Sequence, residues 1–354
     1  MKILDRYLGR AVLSGTLLAL LALSALEVFV AFLGEVQDVG RGDYTTWEAL
    51  VYVLLTTPRR AYMLFPYAVL LGALFSLGAM AVHSELVVIR SLGVSITRFL
   101  GSVLKTGVLL VALAVLVGEG LAPAAEQYAQ TRRAMAQSEK LVFRGAQGLW
   151  VRDGLSFINI RDMFPGGRLG GIYIYEFDKD RRLKAATHAK GAVFVNDAWQ
   201  LEGMRQSRFG PEGVETRAAE RVAWESFLAP ELLNVVVIKP ENLSLFGLYR
   251  YIGYLKSNGL DASRYRQAFW AKLAAPVVPL VMLVVAVPFV FGPLRSAGAG
   301  QRLMLGALLG IVFHIANQTF GQLGQIYAFN PLVSALFPSL LVLGGASFVL
   351  YRMR

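Results

Sequence analysis

The sequence contains no cysteine among its 354 residues, so disulfide bonds, thiolate catalysis and Cys-ligated zinc or iron–sulfur sites are excluded. Histidine is scarce too: His83, His188 and His314 lie too far apart in sequence to indicate a local metal cluster. Charged residues make up only 17% of the chain, whereas 55% is hydrophobic and the mean hydropathy is +0.51. This composition is too apolar for a soluble protein of this size and predicts a membrane protein.

Long basic runs and common catalytic motifs are also absent. The formal net charge is +11, but no run of five or more basic residues occurs, which favours orientation in a bilayer over nucleic-acid binding. The sequence has no G-x-x-x-x-G-K-[ST] phosphate-binding loop, no H-E-x-x-H and no G-x-S-x-G. We therefore expect a protein that is not an enzyme and that carries no cofactor or metal of its own.

Apolar stretches long enough to cross a membrane occur in two groups. A crossing needs about 20 mostly apolar residues. Stretches at 11–34, 61–84 and 99–122 qualify, as do 273–294 and the run 303–351, which is long enough for two crossings with a polar turn at 325–331. The sequence predicts six transmembrane helices, three on each side of a charged insert, and three domains at 1–122, 123–264 and 265–354.

The distribution of basic residues predicts the orientation of these helices, because short cytoplasmic loops are enriched in Lys and Arg. If every span crosses, one side receives Lys2, Arg6, Arg10, Arg90, Arg98, Arg295, Arg302, Arg352 and Arg354. The loop after the first span is instead acidic. We expect both termini in the cytoplasm and the insert on the opposite side.

The insert has the pattern of short strands. Five segments are rich in β-branched or aromatic residues and partly alternate, at 157–161, 171–177, 192–195, 199–202 and 222–224. Repeated short strands separated by turn residues predict a β-sandwich or jelly-roll. We expect helical segments on either side, at 123–140 and 245–256.

Four ionisable residues stand inside or at the ends of apolar stretches, where a charge costs about 2.5–3.5 kcal/mol at mid-bilayer. They are Glu27, Lys105, Glu119 and Lys272. One interpretation is internal ion pairing that fixes helix packing. The other is that Lys272, with Arg132 and Arg133, lines an outward cavity and binds an anionic ligand, because Lys and Arg hold phosphates.

Polar residues and prolines mark the later spans. The fifth span carries a polar stripe at helical spacing, formed by His314, Asn317, Gln318, Thr319 and Gln322. This stripe favours hydrogen bonds between helices over ligand contact. The fourth span contains Pro276, Pro279, Pro288 and Pro293, which kink a helix either for packing or for motion.

A short amphipathic segment, residues 84–95, joins the second and third spans. Glu85 lies in its first turn, where an acid suits the helix dipole, and Ser84 is positioned to cap the helix. Val88, Ile89 and Leu92 fall on one face. The segment is either an ordinary interfacial loop or a helix that docks into a groove of a cytoplasmic partner.

Several short motifs occur in a fixed order along the whole chain. They are LDRY at 4–7, SELVV at 84–88, GE at 118–119 with AP at 122–123, QGLW at 147–150, YLKS at 254–257 with RY at 264–265, and FGPLRS at 291–296. In sequence and spacing they resemble the LptF/LptG family, the permease subunits of the lipopolysaccharide exporter. The resemblance is greater to the LptG type than to the LptF type.

This resemblance implies an α-helical membrane protein with an inserted all-β domain: six transmembrane helices and a periplasmic β-jelly-roll, in the Gram-negative inner membrane. The implied partners are a paralogous LptF-type permease, a cytoplasmic LptB-type ATPase dimer that binds ATP and Mg²⁺, an LptC-type bitopic protein and an LptA-type bridge. The implied cargo is lipopolysaccharide, extracted from the membrane into a cavity between the two permeases. No nucleic-acid partner is expected.

The resemblance also assigns roles to individual residues. The segment at about 84–97 corresponds to the coupling helix, in which Glu85 engages an arginine of the ATPase, and the other contact residues are Val88, Ile89, Arg90 and Leu92. Arg133 matches a basic position near the top of the cavity that meets lipid A phosphate or inner-core sugars. The further candidates for lipopolysaccharide binding are Arg132, Lys272 and Arg41. The intramembrane polar residues of interest are Glu27, Glu119, His314 and Gln318.

The chain departs from the family in the outer half of the first span. Where the family often has lysines, this sequence has Ala31, Gln37 and Asp38, and it adds Glu35. Phosphate contact then depends on Arg41, Arg132 and Arg133, on the partner subunit, or on a divalent cation that bridges an acid to phosphate. The alternatives to an LptG-type subunit are an LptF-type subunit and a non-transporting envelope scaffold.

Overall fold

The computed structural model describes residues 2–137, 143–164, 168–178, 180–195, 198–210, 213–224, 240, 243–292, 298–327 and 329–352. Most of these residues are helical, and a six-stranded sheet is inserted between the two groups of helices. Five helices are long and apolar enough to cross a membrane, and a bent helix pair makes a sixth span if it is counted as one. The protein is thus a multi-pass helical membrane protein with an inserted β domain, as predicted.

The first group of helices follows the predicted spans but extends beyond them. It comprises α1 (Lys2–Val36), α2 (Thr46–Val82), α3 (Glu85–Ser91), α4 (Ile96–Val115), a π-helical turn (Leu116–Leu121) and α5 (Ala122–Gln137). Thr45 begins α2 by accepting the Glu48 N–H with its side chain, as an N-cap residue does. The first two helices are 35 and 37 residues long, whereas the apolar runs at 11–34 and 61–84 contain 24 residues each.

The second group follows the sheet. It comprises α6 (Leu245–Ser257), α7 (Ser263–Ala274), α8 (Val277–Phe291), α9 (Ala299–Ile326) and α10 (Pro331–Arg352). Helices α7 and α8 are bent by 47° at the break between them. Pro276 lies in that break, and a proline removes a backbone hydrogen bond and clashes with the preceding turn. The predicted fourth span is thus a broken helix pair. Pro293 and Arg295 lie outside the described residues, as does Arg354.

The core of the helical body lies around α2 and α8, whose buried side chains pack with those of α4. Helix α1 crosses α2 closely, because a Cβ on Gly15 or Gly72 would collide with backbone of the other helix; small residues permit such close crossings in membranes. The other face of α1 is exposed and apolar, with Leu18, Leu21 and Phe29 among its residues. We call the end of the bundle next to residues 36–46 and 122–137 the sheet-side end, and the end with both termini and α3 the terminal end.

The inserted domain is an antiparallel sheet whose strands follow one another in sequence order. The strands are β1 (Phe143–Asp153), β2 (Ser156–Met163), β3 (Leu169–Phe177), β4 (Leu183–Val195), β5 (Ala198–Gly210) and β6 (Gly213–Trp224). All five predicted strand segments lie within β2 to β6, whereas β1 and the first half of β4 were not predicted. Ile158, Ile160, Ile172 and Trp199 are buried on one face of the sheet, so the domain has the apolar inner face that a jelly-roll or sandwich requires. Residues 225–239 lie outside the described part of the domain.

The short helix α3 differs from the prediction at both ends. Ser84 has a left-handed backbone (φ 61°) and its side chain makes no capping bond, so the predicted cap is wrong. The helix ends at Ser91 and does not reach residue 97. Gly93 has φ +82°, a conformation that glycine adopts at little cost and that terminates helices. Ser95 then caps α4 by accepting the Arg98 N–H.

Candidate functional site

A cavity of about 590 Å³ lies in the sheet-side half of the helical body, among α1, α2, α4, α5 and α7 to α10. Its walls are largely apolar, with Met63, Phe65, Val111, Val278 and Phe313 among the lining side chains. The polar lining residues include Glu27, Arg60, Glu126, His314 and Asn317. An apolar cavity with a few polar groups is typical of a site for an amphipathic molecule.

Glu27 is neutralised by an arginine of the neighbouring helix. Arg60 donates from Nη1 to Glu27 Oε1 at 2.8 Å and from Nε to Thr56 Oγ1 at 3.3 Å. A carboxylate in an apolar span needs such a partner. Glu27 was predicted from the sequence to need a partner, whereas Arg60 was not identified as that partner; the structure supports the ion-pairing interpretation for Glu27.

Glu119 and Lys272 form a second intramembrane pair. Lys272 Nζ lies 2.8 Å from Glu119 Oε1, and the Leu245 N–H donates to the other carboxylate oxygen at 2.9 Å. Both charged side chains are mostly buried, at 16% and 19% exposed. The pair joins the π-helical turn to α7 and to the start of α6. Lys272 does not line the 590 Å³ cavity, in contrast to the second interpretation given above.

The other predicted ligand-binding cations meet at the sheet-side end, where each is paired with an acid. We call this set the charge network; it consists of Glu35, Asp38, Arg41, Glu48, Arg132 and Arg133. Arg133 lies 3.0 Å from Glu35 and donates to Asp38 at 2.7 Å. Arg132 binds both oxygens of Glu48, at 2.8 and 2.9 Å. Arg41 lies 2.5 Å from Asp38.

Two tyrosines complete the charge network. Tyr44 is only 1% exposed and donates to Glu35 at 3.0 Å; burial, together with this bond, raises the pKa of the Tyr44 phenol. The Arg133 guanidinium stacks over the Tyr52 ring at 5.0 Å, a favourable cation–π distance. Neither tyrosine was predicted from the sequence. The acidic residues beside them were visible in the sequence, but they were interpreted through orientation, departure from the family pattern and a bridging cation, not through ion pairs with Arg132 and Arg133.

The polar stripe of the fifth span is only partly engaged. The Tyr67 hydroxyl and His314 Nδ1 are 2.7 Å apart and link α2 to α9, which supports an interhelical hydrogen bond. Gln318 is exposed on α9.

A divalent cation that bridges an acid to phosphate finds no prepared site in the described part of the chain. Within the described residues no group of three or more His, Asp or Glu side chains could hold a metal ion. Glu35 and Asp38, the acids considered for this role, are paired with arginines.

Helix α3 presents an apolar surface at the terminal end. Leu86, which sequence analysis did not select, is buried against the helical core, and Ile89 packs against the same core. Val88 and Leu92 are 56% and 78% exposed, and Arg90 is exposed as well. The predicted face is therefore divided: Ile89 anchors the helix, while Val88 and Leu92 remain available to a partner.

Glu85, at the start of α3, is held by a residue far away in sequence. The Tyr7 hydroxyl of α1 donates to Glu85 Oε2 at 2.7 Å. Nearby, Asp5 lies 3.0 Å from Lys105 and 3.6 Å from Arg98, and it accepts a bond from Ser102. Lys105, predicted to need a partner, thus finds it in Asp5. These contacts join α1, α3 and α4 at the terminal end.

Comparison with known proteins gives a consistent result over the full length of the chain. The sequence matches the family described as lipopolysaccharide export system permease LptF/LptG over residues 6–352. It is 37% identical to the lipopolysaccharide export system permease protein LptG of Escherichia coli K12 over 340 residues, 95% of this chain and 94% of the relative. It is 36% identical to the protein of the same name from Haemophilus influenzae over 353 residues, 99% of each chain. The chain therefore belongs to the LptF/LptG family of lipopolysaccharide export permeases.

Proposed function

We propose that this chain is the LptG-type permease subunit that extracts lipopolysaccharide from the inner membrane and passes it towards a periplasmic jelly-roll bridge. The observation that carries the proposal is the largely apolar 590 Å³ cavity in the sheet-side half of the bundle. The apolar inner face of the sheet supports it, because acyl chains that leave the membrane need shelter from water.

Extraction requires work from outside this chain. Each CH₂ that moves from an apolar environment into water costs about 0.8 kcal/mol, so a lipid with several acyl chains does not leave a bilayer unaided. The sequence has no phosphate-binding loop. We assign ATP and Mg²⁺ to a separate LptB-type ATPase dimer in the cytoplasm, with α3 docked on it and Glu85 facing one of its arginines.

Family membership supports the remaining parts of the proposed exporter, and the distribution of basic residues supports its orientation. Both termini face the cytoplasm, and the sheet lies in the periplasm. An LptF-type paralogue completes the cavity, an LptC-type protein contributes a helix, and an LptA-type protein continues the bridge. Arg133, with Arg132 and Arg41, contacts the phosphates or inner-core sugars of the lipid.

Site-specific photo-crosslinking tests this function. A photoreactive phenylalanine analogue replaces Phe194 or Trp224, which pack on the apolar inner face of the sheet. We expect lipopolysaccharide adducts that depend on ATP turnover in proteoliposomes containing the permease pair and the ATPase. The same analogue at Val195, the next residue and hence on the opposite face, is the matched control. If both inner positions give no lipid adduct during turnover, the chain is a scaffold and the transport proposal fails.

A further inference from the structure

The charge network contains as many acids as bases. Three carboxylates, from Glu35, Asp38 and Glu48, face three guanidinium groups, from Arg41, Arg132 and Arg133. Because every arginine of the network is already paired, the network has no surplus positive charge. An anionic ligand that takes the Arg133 donors facing Glu35 and Asp38 therefore has to exchange with these carboxylates.

A phosphate can replace a carboxylate at these arginines because both anions bind a guanidinium in the same way. A guanidinium presents a planar fork of N–H donors that suits carboxylate and phosphate alike. Arg133 directs Nε towards Glu35 and Nη2 towards Asp38. Asp38 accepts the hydrogen bond from Nη2, and Glu35 lies beside Nε as an ion pair without a hydrogen bond to it. The two acids thus take up the positions beside these donors where a phosphate would bind. A phosphomonoester carries about −1.5 to −2 charges at neutral pH, so it competes well against a single carboxylate.

The same contacts hold the end of α1 against α5. Glu35 is in the last turn of α1 and Asp38 follows in the turn after it, while Arg133 belongs to α5. The connection is reinforced by the Asp43 N–H, which donates to the Ala136 carbonyl at 2.8 Å. Arg133 is 29% exposed, so a ligand can approach it from one side while the acids hold the other.

We propose that Glu35 and Asp38 are built-in counter-ions of Arg133, that a phosphomonoester on a lipid head group displaces them, and that this exchange sets the affinity for phosphorylated lipid. The inference rests on the proposed function, because it takes the ligand to be the exported lipid. It adds two acidic residues to the site as determinants of specificity. Binding of the phosphate also removes the ion pairs between the end of α1 and α5, while the Asp43–Ala136 hydrogen bond remains.

The test measures lipid affinity in the complete complex of both permeases and the ATPase, held in nanodiscs. The probe is fluorescently labelled diphosphorylated lipid A. We expect Asp38→Asn or Glu35→Gln to raise its affinity roughly threefold and the double variant to raise it up to about tenfold, as expected for the loss of partly exposed competing ion pairs. Asp38→Glu, which keeps the charge, should restore the parent affinity. Glu202→Gln removes the acid of an exposed pair with Arg221 on the sheet and should change nothing.

Two further ligands identify the source of the phosphate. Dephosphorylated lipid A should bind the parent and the double variant equally, and inorganic phosphate should not compete with the probe, because it has no acyl chains. An equal rise for the dephosphorylated lipid, or competition by inorganic phosphate, would overturn the inference. An unchanged or lower affinity of the double variant for the probe would also overturn it.

Arg133→Gln separates this inference from the proposed function. If Arg133→Gln weakens binding of the probe and the double acid variant has no effect, the counter-ion inference fails while the assignment of Arg133 stands. If Arg133→Gln leaves the affinity unchanged, Arg133 does not contact the lipid. The counter-ion inference and the assignment of Arg133 to lipid binding then both fail. Weaker binding in Arg133→Gln together with tighter binding in the double variant supports both.

Discussion

The two ends of the helical bundle use charge in different ways. At the sheet-side end, the acids and arginines of the charge network satisfy one another and join α1, α2 and α5. At the terminal end, Asp5 pairs with Lys105 and Arg98, but Arg6, Arg10 and Arg90 are exposed, as is the apolar surface of α3. The charge network is therefore internally compensated, whereas the terminal end presents charge and apolar area to other molecules.

The difference indicates where each end makes its main interactions. Exposed basic residues at a membrane surface attract anionic lipid head groups, and exposed apolar side chains beside them mark a protein contact. In a network of paired charges, by contrast, a ligand binds by replacing one member of a pair. The terminal end thus suits stable contact with a partner protein, whereas the charge network at the sheet-side end suits a ligand that binds and is released.

The largest effect should come from Glu119→Gln, which tests internal compensation directly. The substitution leaves Lys272 without its acid in a mostly buried site, and breaking such a pair is costly because one charge remains uncompensated. Allowing for partial exposure, we expect a loss of about 2 kcal/mol in chemical unfolding in mixed micelles. Glu119→Gln combined with Lys272→Met should recover much of the loss. Equal stability of the single variant and the parent would show that the pair contributes nothing.

The next effect concerns docking at the terminal end. Glu85→Ala should leave the fold intact but reduce lipid release per ATP about tenfold in proteoliposomes, as expected for the loss of one charged contact across an interface. Glu202→Ala, on the sheet, is the control for removing an acid. Normal lipid release by the Glu85 variant would reject the coupling role of this residue.

The sequence predicted the helices well because long apolar runs report directly on burial in a membrane. Residues 273–294 were recognised as a span, for example, although the 47° break at Pro276 was expected only as a kink. The pairings could not be predicted in the same way. Arg60 is 33 residues from Glu27, and Tyr7 is 78 residues from Glu85; such contacts depend on the register between helices, which periodicity within one helix does not contain.

A smaller effect is expected from Tyr7→Phe, which removes the hydroxyl that holds Glu85 but keeps the ring. A hydrogen bond to a carboxylate contributes modestly, so lipid release per ATP should fall roughly threefold with unchanged thermal stability. Tyr351→Phe, an exposed tyrosine at the same end of the bundle, is the matched control. In a Glu85→Ala background Tyr7→Phe should have no further effect; an additive loss would mean that Tyr7 acts elsewhere.

The smallest effect should come from Asp261, whose contacts at the sheet-side end are entirely local. Its carboxylate accepts the Ser263 N–H at 2.9 Å and the Ser263 hydroxyl at 2.7 Å, and these bonds lower the pKa of Asp261 below its ordinary value of 3.8. Because the folded pKa is depressed, the contribution to stability is present above pH 3.8 and is lost as the pH falls through the lower, folded value. Asp261→Asn should therefore lower the unfolding temperature slightly near neutral pH, and the difference from the parent should vanish in strong acid. A difference that persists unchanged in acid would show that the charge of Asp261 does not contribute to the stability of the start of α7.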